Sequence, residues 1–160
     1  MKVIKKQTNS KMCFICGIDN EFGLKAPFYE MEDKTVVSLF SYKECHQSYP
    51  GRVHGGLITA MLDEIAGRAI WIDEPETWGV TMNLNIKFRK AVPYDTPLKA
   101  VGKIIKNTHR IFVGIASMYD IDNNLLVEAE VTYIKLPISK IAEDVHEDVN
   151  ILIPDDVKEI

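Results

Sequence analysis

One stretch of this chain has a long helical repeat of apolar residues, whereas the segments around it have the pattern of β-strands. From Gly55 to about Trp71, apolar side chains recur at helical spacing. The stripe consists of Leu57, Ile58, Met61, Leu62, Ile65, Ala66, Ala69 and Ile70. A stripe this wide predicts a helix that is largely buried.

The flanking segments are predicted to be strands because apolar and polar residues alternate in them. Strands are expected at 24–31, 35–42, 80–88, 96–107, 111–120 and 125–136. One helix and about six strands form a compact α+β domain if the antiparallel sheet curves around the helix. In the strand after the helix, the alternation places Val80 and Met82 against the helix and Thr81 on the opposite face.

The length of 160 residues fits one domain. We expect an N-terminal arm at 1–23, the main domain at 24–136 and a C-terminal helix or tail at 137–160. The net charge of −4 gives no broad attraction to nucleic acid or a membrane, so neither is an expected partner. Three cysteines do not suggest a disulfide framework, and no signal peptide or membrane span is evident, so we expect a cytoplasmic protein.

The start of the predicted helix carries two glycines after a histidine. Unpaired N–H groups and a partial positive charge occur at a helix N-terminus. Without side chains, Gly55 and Gly56 would let a ligand reach these amides, which could polarise a carbonyl oxygen. A simpler interpretation is that the glycines only permit a tight turn after His54.

Two acidic residues follow in the same helix. Asp63 lies away from the apolar stripe, on a face of small residues that suggests close approach of a ligand or a second subunit. The small residues of this face are Gly56, Thr59, Ala60 and Gly67. Glu64 is predicted to pair with Arg68 on the surface. Simple solvation of Asp63 remains an alternative.

Three segments resemble the hotdog-fold acyl-CoA thioesterases of the phenylacetic-acid-pathway type. They are "CFICGIDNEFGL" at 13–24, "HQSYPGRVHGGLITAMLDE" at 46–64 and "NLNIKFRKAVPYDTPLKAVGKI" at 83–104. The resemblance covers roughly residues 13–136. It implies one long helix wrapped by an antiparallel sheet, a dimeric or tetrameric assembly, and hydrolysis of a thioester.

The resemblance also implies roles for individual residues. The Gly55 N–H would polarise the thioester carbonyl, with Gly56 beside it, and Asp63 would act as general base or nucleophile. Thr81 would help to orient water, and His54 would shape the turn or contact the thioester. Glu64 is the alternative acid. Ser48 lies where relatives carry Asn or Gly.

The helical spacing limits how these groups can combine. Gly55 and Asp63 are two turns apart, ~10–12 Å along the axis. A single helix therefore cannot bring both to one carbonyl carbon. Donors of one protomer would have to face the aspartate of another, and the small helix face and open sheet edges agree with self-association.

Basic residues near the strand ends suggest how coenzyme A could bind. Arg89, Lys90, Lys103 and Arg110 could form a rim for its phosphates, although solvated strand ends explain them equally well. No cofactor is expected, because coenzyme A would be part of the substrate.

Cys13 and Cys16 form a C-x-x-C pair, which is half of a zinc site. Cys45 and His46 could complete it only if the arm folds back. Otherwise the cysteines are small side chains that fix the arm. We expect no metal.

Hydrolysis of an acyl thioester is thus the first functional hypothesis, and non-catalytic binding of acyl-CoA is the alternative. A hydratase ranks last, because no histidine lies between Asp63 and His109.

Overall fold

The computed structural model describes residues 1–142 and 150–160. The central helix α1 spans Gly55–Arg68 and continues as a 3-10 turn at Ala69–Ile72. The described residues form seven strands, β1 (Val3–Lys6), β2 (Tyr29–Met31), β3 (Val36–Phe40), β4 (Trp78–Phe88), β5 (Leu98–Asn107), β6 (Ile111–Tyr119) and β7 (Leu125–Leu136). Short helical segments also occur, a 3-10 turn at Glu44–His46 and helix α2 at Ile138–Ile141.

The strands form one antiparallel sheet in the order β1-β2-β3-β5-β6-β7-β4. Helix α1 packs on β5, β6 and β7, and its apolar stripe is buried against them. The prediction of an α+β hotdog architecture with one main helix is confirmed. The strand that the alternation did not reveal is β1, which belongs to the segment interpreted as an arm.

Two glycines let the helix approach the sheet closely. A methyl group added at Gly102 of β5 would lie 2.5 Å from the Ile65 carbonyl oxygen. One added at Gly114 of β6 would lie 2.7 Å from the Ala66 carbonyl oxygen. The backbone of α1 therefore rests directly on two neighbouring strands, which fixes the height of the helix above the sheet.

The N-terminal segment packs against the main domain. Strand β1 pairs with β2, and Ile15 and Cys16 are buried in the core. The Asn9 side chain donates to the carbonyls of Cys16 (2.7 Å) and Ala26 (3.2 Å). The segment is thus part of the sheet and core, while the proposed boundary after residue 23 stays a prediction.

The described parts of the C-terminal segment contact the N-terminal segment, while the predicted helix or tail at 137–160 stays a prediction. Beyond the short helix α2, Ile151 forms an isolated β-bridge with Asn9, and Glu159 forms one with Lys2. The Asp155 carboxylate accepts bonds from Lys6 Nζ (2.5 Å) and the Tyr29 hydroxyl (2.7 Å). Residues 143–149, including His146, lie outside the described residues.

None of the helices within the described ranges has the length and apolar character needed to cross a membrane. The predicted cytoplasmic location stays a prediction.

A β-bulge in β4 reverses the predicted orientation of its first half. Thr81 pairs with Tyr133 and Asn83 with Thr132, so Met82 is the extra residue between them. The bulge shifts the alternation by one residue. The prediction that Val80 and Met82 face the helix was wrong, since they are 39% and 60% exposed. Thr81 instead lies on the helix side.

We predict that Gly102→Ala destabilises the protein, because the added methyl group meets the helix backbone. The expected loss in free energy of unfolding is about 1–3 kcal/mol, measured by urea denaturation. The control is Lys103→Ala on the exposed side of the same strand, which should change stability by less than about 0.5 kcal/mol. Equal effects of the two substitutions would contradict this account of the helix–sheet contact.

Candidate active site

His54 caps helix α1 and divides the two glycine amides between different roles. Its backbone is extended, and its ring Nδ1 accepts the N–H of Gly56 at 2.9 Å. Among the residues described, 1–142 and 150–160, no acceptor lies against the Gly55 N–H. The N-cap hydrogen bond therefore engages the Gly56 N–H, and the Gly55 N–H remains a free donor at the positive end of the helix.

A groove of about 410 Å³ lies beside this free donor. Its walls bring together four of the residues predicted from the sequence, Ser48, Gly55, Arg89 and Lys90. Arg52 lines it too, so three cationic side chains surround the helix start. Such a groove suits an anionic ligand.

Not every predicted basic residue reaches this groove. Arg89 lines the groove and also donates to the Glu128 carboxylate at 2.6 Å. The Arg110 carbonyl oxygen accepts the Lys135 N–H, near the C-terminal end of β7. The N–H groups of Arg89 and Lys90 both donate to the Leu126 carbonyl oxygen, near the other end of β7. Within one protomer, Arg110 therefore lies at the opposite end of the sheet from Arg89 and Lys90. Lys103, in the middle of β5, is also absent from the groove lining.

Asp63 faces strand β4 and is held by Thr81. The Thr81 hydroxyl lies 2.9 Å from Oδ1 and 3.0 Å from Oδ2 of the carboxylate. The expectation that Thr81 points away from the helix was wrong because of the bulge at Met82. Thr81 gives its single proton to Asp63, which leaves its oxygen lone pairs for a water molecule.

The environment of Asp63 makes it a stronger base than a solvated aspartate. Burial raises the pKa of Asp63 and the charge of Glu64 adds to this shift, while the hydrogen bond from the Thr81 hydroxyl opposes it. A carboxylate with a raised pKa accepts a proton more readily near neutral pH.

A cavity of about 270 Å³, here called the aspartate pocket, opens beside Asp63. Helix α1, strand β4 and the N-terminal segment all contribute to it. Aromatic side chains form much of its wall, namely Trp71, Trp78, Phe112 and Tyr133.

Tyr133 explains part of the small face of the helix. Its hydroxyl donates to the Asp63 carbonyl oxygen at 2.6 Å. A methyl group added at Gly67 would lie 3.2 Å from the Tyr133 ring. Near Gly67, strand β7 of the same chain therefore packs against the small face of the helix. The sequence had suggested a ligand or a second subunit there. Sequence reasoning missed Tyr133, whose position depends on the pairing of β7 with β4.

Glu64 pairs with Arg68 as predicted, but the pair is not a surface pair. The carboxylate lies 2.8 Å from Arg68 Nε, and the Arg68 side chain is only 6% exposed. The guanidinium also donates to the Thr8 carbonyl oxygen and packs over the rings of Phe28 and Trp71. The surface assignment was wrong because the N-terminal segment covers this part of the helix.

The same guanidinium contacts the cysteine pair. Arg68 Nη2 lies 3.0 Å from Cys16 Sγ, and ligand atoms of Cys13, Cys16 and Glu64 all lie within 4.8 Å of one another. The Arg68 guanidinium already pairs with Cys16 and Glu64, so these two groups are less available as metal ligands.

The proposed completion of a zinc site by Cys45 and His46 does not occur. Cys45 is exposed. Both nitrogens of the His46 ring are engaged, Nδ1 with the Lys43 N–H and Nε2 with the Phe22 carbonyl oxygen. The expectation that no metal binds stays a prediction.

Within one protomer, the predicted donor and the predicted base lie in different places. Gly55 lines the basic groove and Asp63 lines the aspartate pocket. Eight residues of helix separate them, about 12 Å along the axis.

Comparisons with known proteins connect this geometry to a family. Residues 50–127 match the model of the thioesterase superfamily. Acyl-coenzyme A thioesterase THEM4 from Mus musculus is 31% identical over 134 residues, and the protein of the same name from Rattus norvegicus is 28% identical. Both alignments cover 82% of this chain and 57% of the relative, so the chain spans little more than half of these proteins.

Solved structures share the fold. A hypothetical thioesterase with coenzyme A from Streptococcus pneumoniae is 21% identical, with a TM-score of 0.63 over 70% of this chain and 86% of that chain. Zebrafish thioesterase superfamily member 2 is 20% identical, with a TM-score of 0.63 over 69% of this chain and 80% of that one.

We predict that Thr81→Val raises the pKa of Asp63 further, because the substitution removes a hydrogen bond that stabilises the carboxylate. Carbon-detected NMR titration of the carboxyl group measures this directly. Thr59→Val is a matched control, since that hydroxyl bonds the Gly55 carbonyl oxygen and not Asp63. An unchanged pKa in Thr81→Val would show that the hydrogen bond does not influence this carboxylate.

Proposed function

We propose that this chain, which belongs to the thioesterase superfamily and has the hotdog fold, hydrolyses acyl-CoA thioesters. The observation that carries the proposal is the partly buried Asp63, held by the Thr81 hydroxyl at the wall of an aromatic pocket. A raised pKa suits this carboxylate to accept a proton from water.

Thioester hydrolysis requires an activated oxygen on one side of the carbonyl carbon and donors on the other. Asp63 would take a proton from water as the water attacks the carbonyl carbon. Alternatively Asp63 would itself attack this carbon, and water would then hydrolyse the resulting acyl–Asp63 anhydride to the free acid and the Asp63 carboxylate. The Gly55 N–H would stabilise the negative charge that develops on the carbonyl oxygen. When the intermediate collapses, the C–S bond breaks and the thiolate leaves. It becomes the free thiol by taking the proton held by Asp63 in the general-base route, or a proton from water in the nucleophile route.

The basic groove would hold the coenzyme A portion. Arg52, Arg89 and Lys90 surround the helix start, and phosphates bind well to clustered cationic side chains. Ser48 and Gly56 lie in the same region, so the groove would position the thioester close to the free Gly55 amide. Two curated relatives named acyl-coenzyme A thioesterases support this substrate class.

The active site would be shared between two protomers, because Gly55 and Asp63 of one chain lie in separate cavities. Strand β4 is an eleven-residue edge strand of the sheet. It exposes Val80, Met82 and Phe88. Pairing of this edge with a second copy would satisfy its backbone groups and cover these side chains.

The same separation favours the second candidate function. A chain that stayed monomeric would keep its basic groove but would lack an acid at the bound carbonyl. Such a protein would bind acyl-CoA without cleaving it. Release of free thiol from a panel of acyl-CoAs separates the two functions.

We predict that Asp63→Asn lowers turnover of the best acyl-CoA in that panel by at least ~10²-fold, since it preserves shape and removes the base. Affinity for acyl-CoA should change little, because the groove and the Gly55 donor remain. Turnover and affinity are measured by thiol release and by titration calorimetry.

Glu64→Gln is the matched control for the choice of acid. Because Glu64 compensates the buried Arg68, its loss should lower thermal stability and reduce turnover far less than Asp63→Asn. Loss of activity in Glu64→Gln alone would reverse the assignment. Retained activity in both variants of a verified thioesterase would reject a carboxylate mechanism.

We further predict that two inactive variants complement each other when their subunits are mixed. Gly55→Pro removes the free N–H but suits the first helical position, where proline is tolerated and His54 is already extended. In a mixed dimer of Gly55→Pro and Asp63→Asn, one shared site is intact and the other carries both defects. Random mixing should restore about a quarter of wild-type turnover.

Gly55→Ala controls for steric effects, because it keeps the N–H and places its methyl group 3.4 Å from Phe88, an ordinary contact. It should retain much more activity than Gly55→Pro. Failure to recover activity in verified mixed dimers would place Gly55 and Asp63 in one protomer's site. Light scattering that shows a monomer at micromolar concentration would exclude a shared site altogether.

A further inference from the structure

The C-x-x-C pair in the wall of the aspartate pocket has no role in the proposed hydrolysis. We propose that Cys13 and Cys16 form a redox-active dithiol, which a hydroperoxide converts to an intramolecular disulfide. This inference does not depend on the proposed thioesterase activity. It rests on the placement of the two sulfurs, on the groups that hold them and on their access to the pocket.

The local backbone already places the two thiols side by side. Cys13 and Cys16 lie in one helical turn, which is closed by a hydrogen bond from the Gly17 N–H to the Cys13 carbonyl oxygen at 2.8 Å. Both thiols are free, and their sulfurs lie within 4.8 Å of each other. Formation of a disulfide, with an S–S distance of ~2.05 Å, therefore needs a small local movement.

The surroundings of Cys16 favour a thiolate. Its sulfur accepts bonds from Arg68 Nη2 at 3.0 Å and from the Ser10 N–H at 3.3 Å, and the Ser10 hydroxyl also lies 3.3 Å away. A hydrogen bond from Cys13 and the charge of Arg68 lower the pKa of Cys16 to about 6, against the opposing effect of burial. The same contact with Cys16, followed by burial, raises the pKa of Cys13.

The two cysteines thus have different roles in the proposed oxidation. Cys16 is the nucleophile and Cys13 is the partner that closes the disulfide. Cys16 is 1% exposed, but it lines the aspartate pocket together with the half-buried Cys13. The pocket is thus the side from which a small hydroperoxide would approach the sulfur.

The reaction has two balanced steps. The Cys16 thiolate attacks the outer oxygen of a hydroperoxide, the O–O bond breaks, and protonation gives Cys16 sulfenic acid and an alcohol, or water where the oxidant is hydrogen peroxide. The Cys13 sulfur then attacks the Cys16 sulfur and displaces hydroxide, which takes the Cys13 proton and leaves as water. Two thiols lose two electrons in total, and the hydroperoxide gains them.

The arginine also explains why this pair suits redox chemistry rather than zinc. Zinc would need the lone pairs that Arg68 occupies at Cys16 and Glu64, and the buried guanidinium would repel it. Oxidation removes the negative charge at Cys16. Glu64 then remains the anionic partner of Arg68, one residue from Asp63.

Trypsin digestion provides a direct test on the full-length reduced protein. Cys13 and Cys16 fall in the tryptic peptide 12–25, whereas the exposed Cys45 falls in 44–52. After brief exposure to hydrogen peroxide near neutral pH and alkylation, we expect peptide 12–25 to be unalkylated and lighter by two hydrogens. Peptide 44–52 should remain alkylated, and Cys45→Ser should not change the result.

Variants separate the roles within the pair. Cys13→Ser and Cys16→Ser should each abolish the disulfide, and only Cys13→Ser should accumulate sulfenic acid. Arg68→Met tests the positioning residue, with its fold checked by circular dichroism. In Arg68→Met, the Cys16 thiol should react with hydrogen peroxide at least ~10-fold more slowly at pH 6. The midpoint of the pH–rate profile of this reaction should move towards ~8.5. Where Arg68→Met does not fold, Ser10→Ala replaces it and should shift the profile in the same direction.

Three results would overturn the proposal. The first is oxidation of peptide 12–25 that is no faster than oxidation of Cys45. The second is oxidation of Cys16 to higher acids without a disulfide. The third is about one zinc per chain in the purified protein, lost in Cys13→Ser.

Discussion

The contact that the rest of this structure depends on is the backbone of helix α1 resting on strands β5 and β6. At Gly102 and Gly114, any larger residue would push the helix carbonyls of Ile65 and Ala66 away from the sheet. Because the two contacts join consecutive helix residues, Ile65 and Ala66, to two different strands, they fix the rotation of the helix as well as its height. That rotation turns Asp63 towards the edge strand β4 rather than into the apolar core. There the Thr81 hydroxyl of β4 donates a hydrogen bond to the Asp63 carboxylate.

A buried arginine joins the remaining part of the chain to this helix. A guanidinium removed from water must find compensating partners, and Arg68 finds them in Glu64, the Thr8 carbonyl oxygen and the sulfur of Cys16. Two of these partners belong to the N-terminal segment, so packing of that segment and compensation of the charge occur together. The same segment contributes Ser10, Cys13 and Cys16 to the wall of the aspartate pocket.

Much of the fold follows from periodicity, since a wide helical stripe and strands of period two leave few arrangements for a small domain. The errors have specific causes. The bulge at Met82 inserts one residue, which reverses the orientation of Thr81 without any change in composition. The burial of Arg68 and the placement of β1 depend on contacts between residues far apart in sequence. Arg110 looked similar to Arg89 in the sequence, and only the pairing of β6 with β7 shows that they lie at opposite ends.

The adjacent acids Asp63 and Glu64 show how structure assigns chemistry that sequence leaves open. They point from consecutive positions of one helix, about 100° apart, so each meets a different neighbour. Glu64 meets a buried cation, and a carboxylate that compensates a cation is poorly placed to accept a proton during a reaction. Asp63 meets a neutral hydroxyl, and burial raises its pKa. Opposite environments for neighbouring carboxylates are a recurring way to separate acid–base roles, and here they direct the chemistry to Asp63.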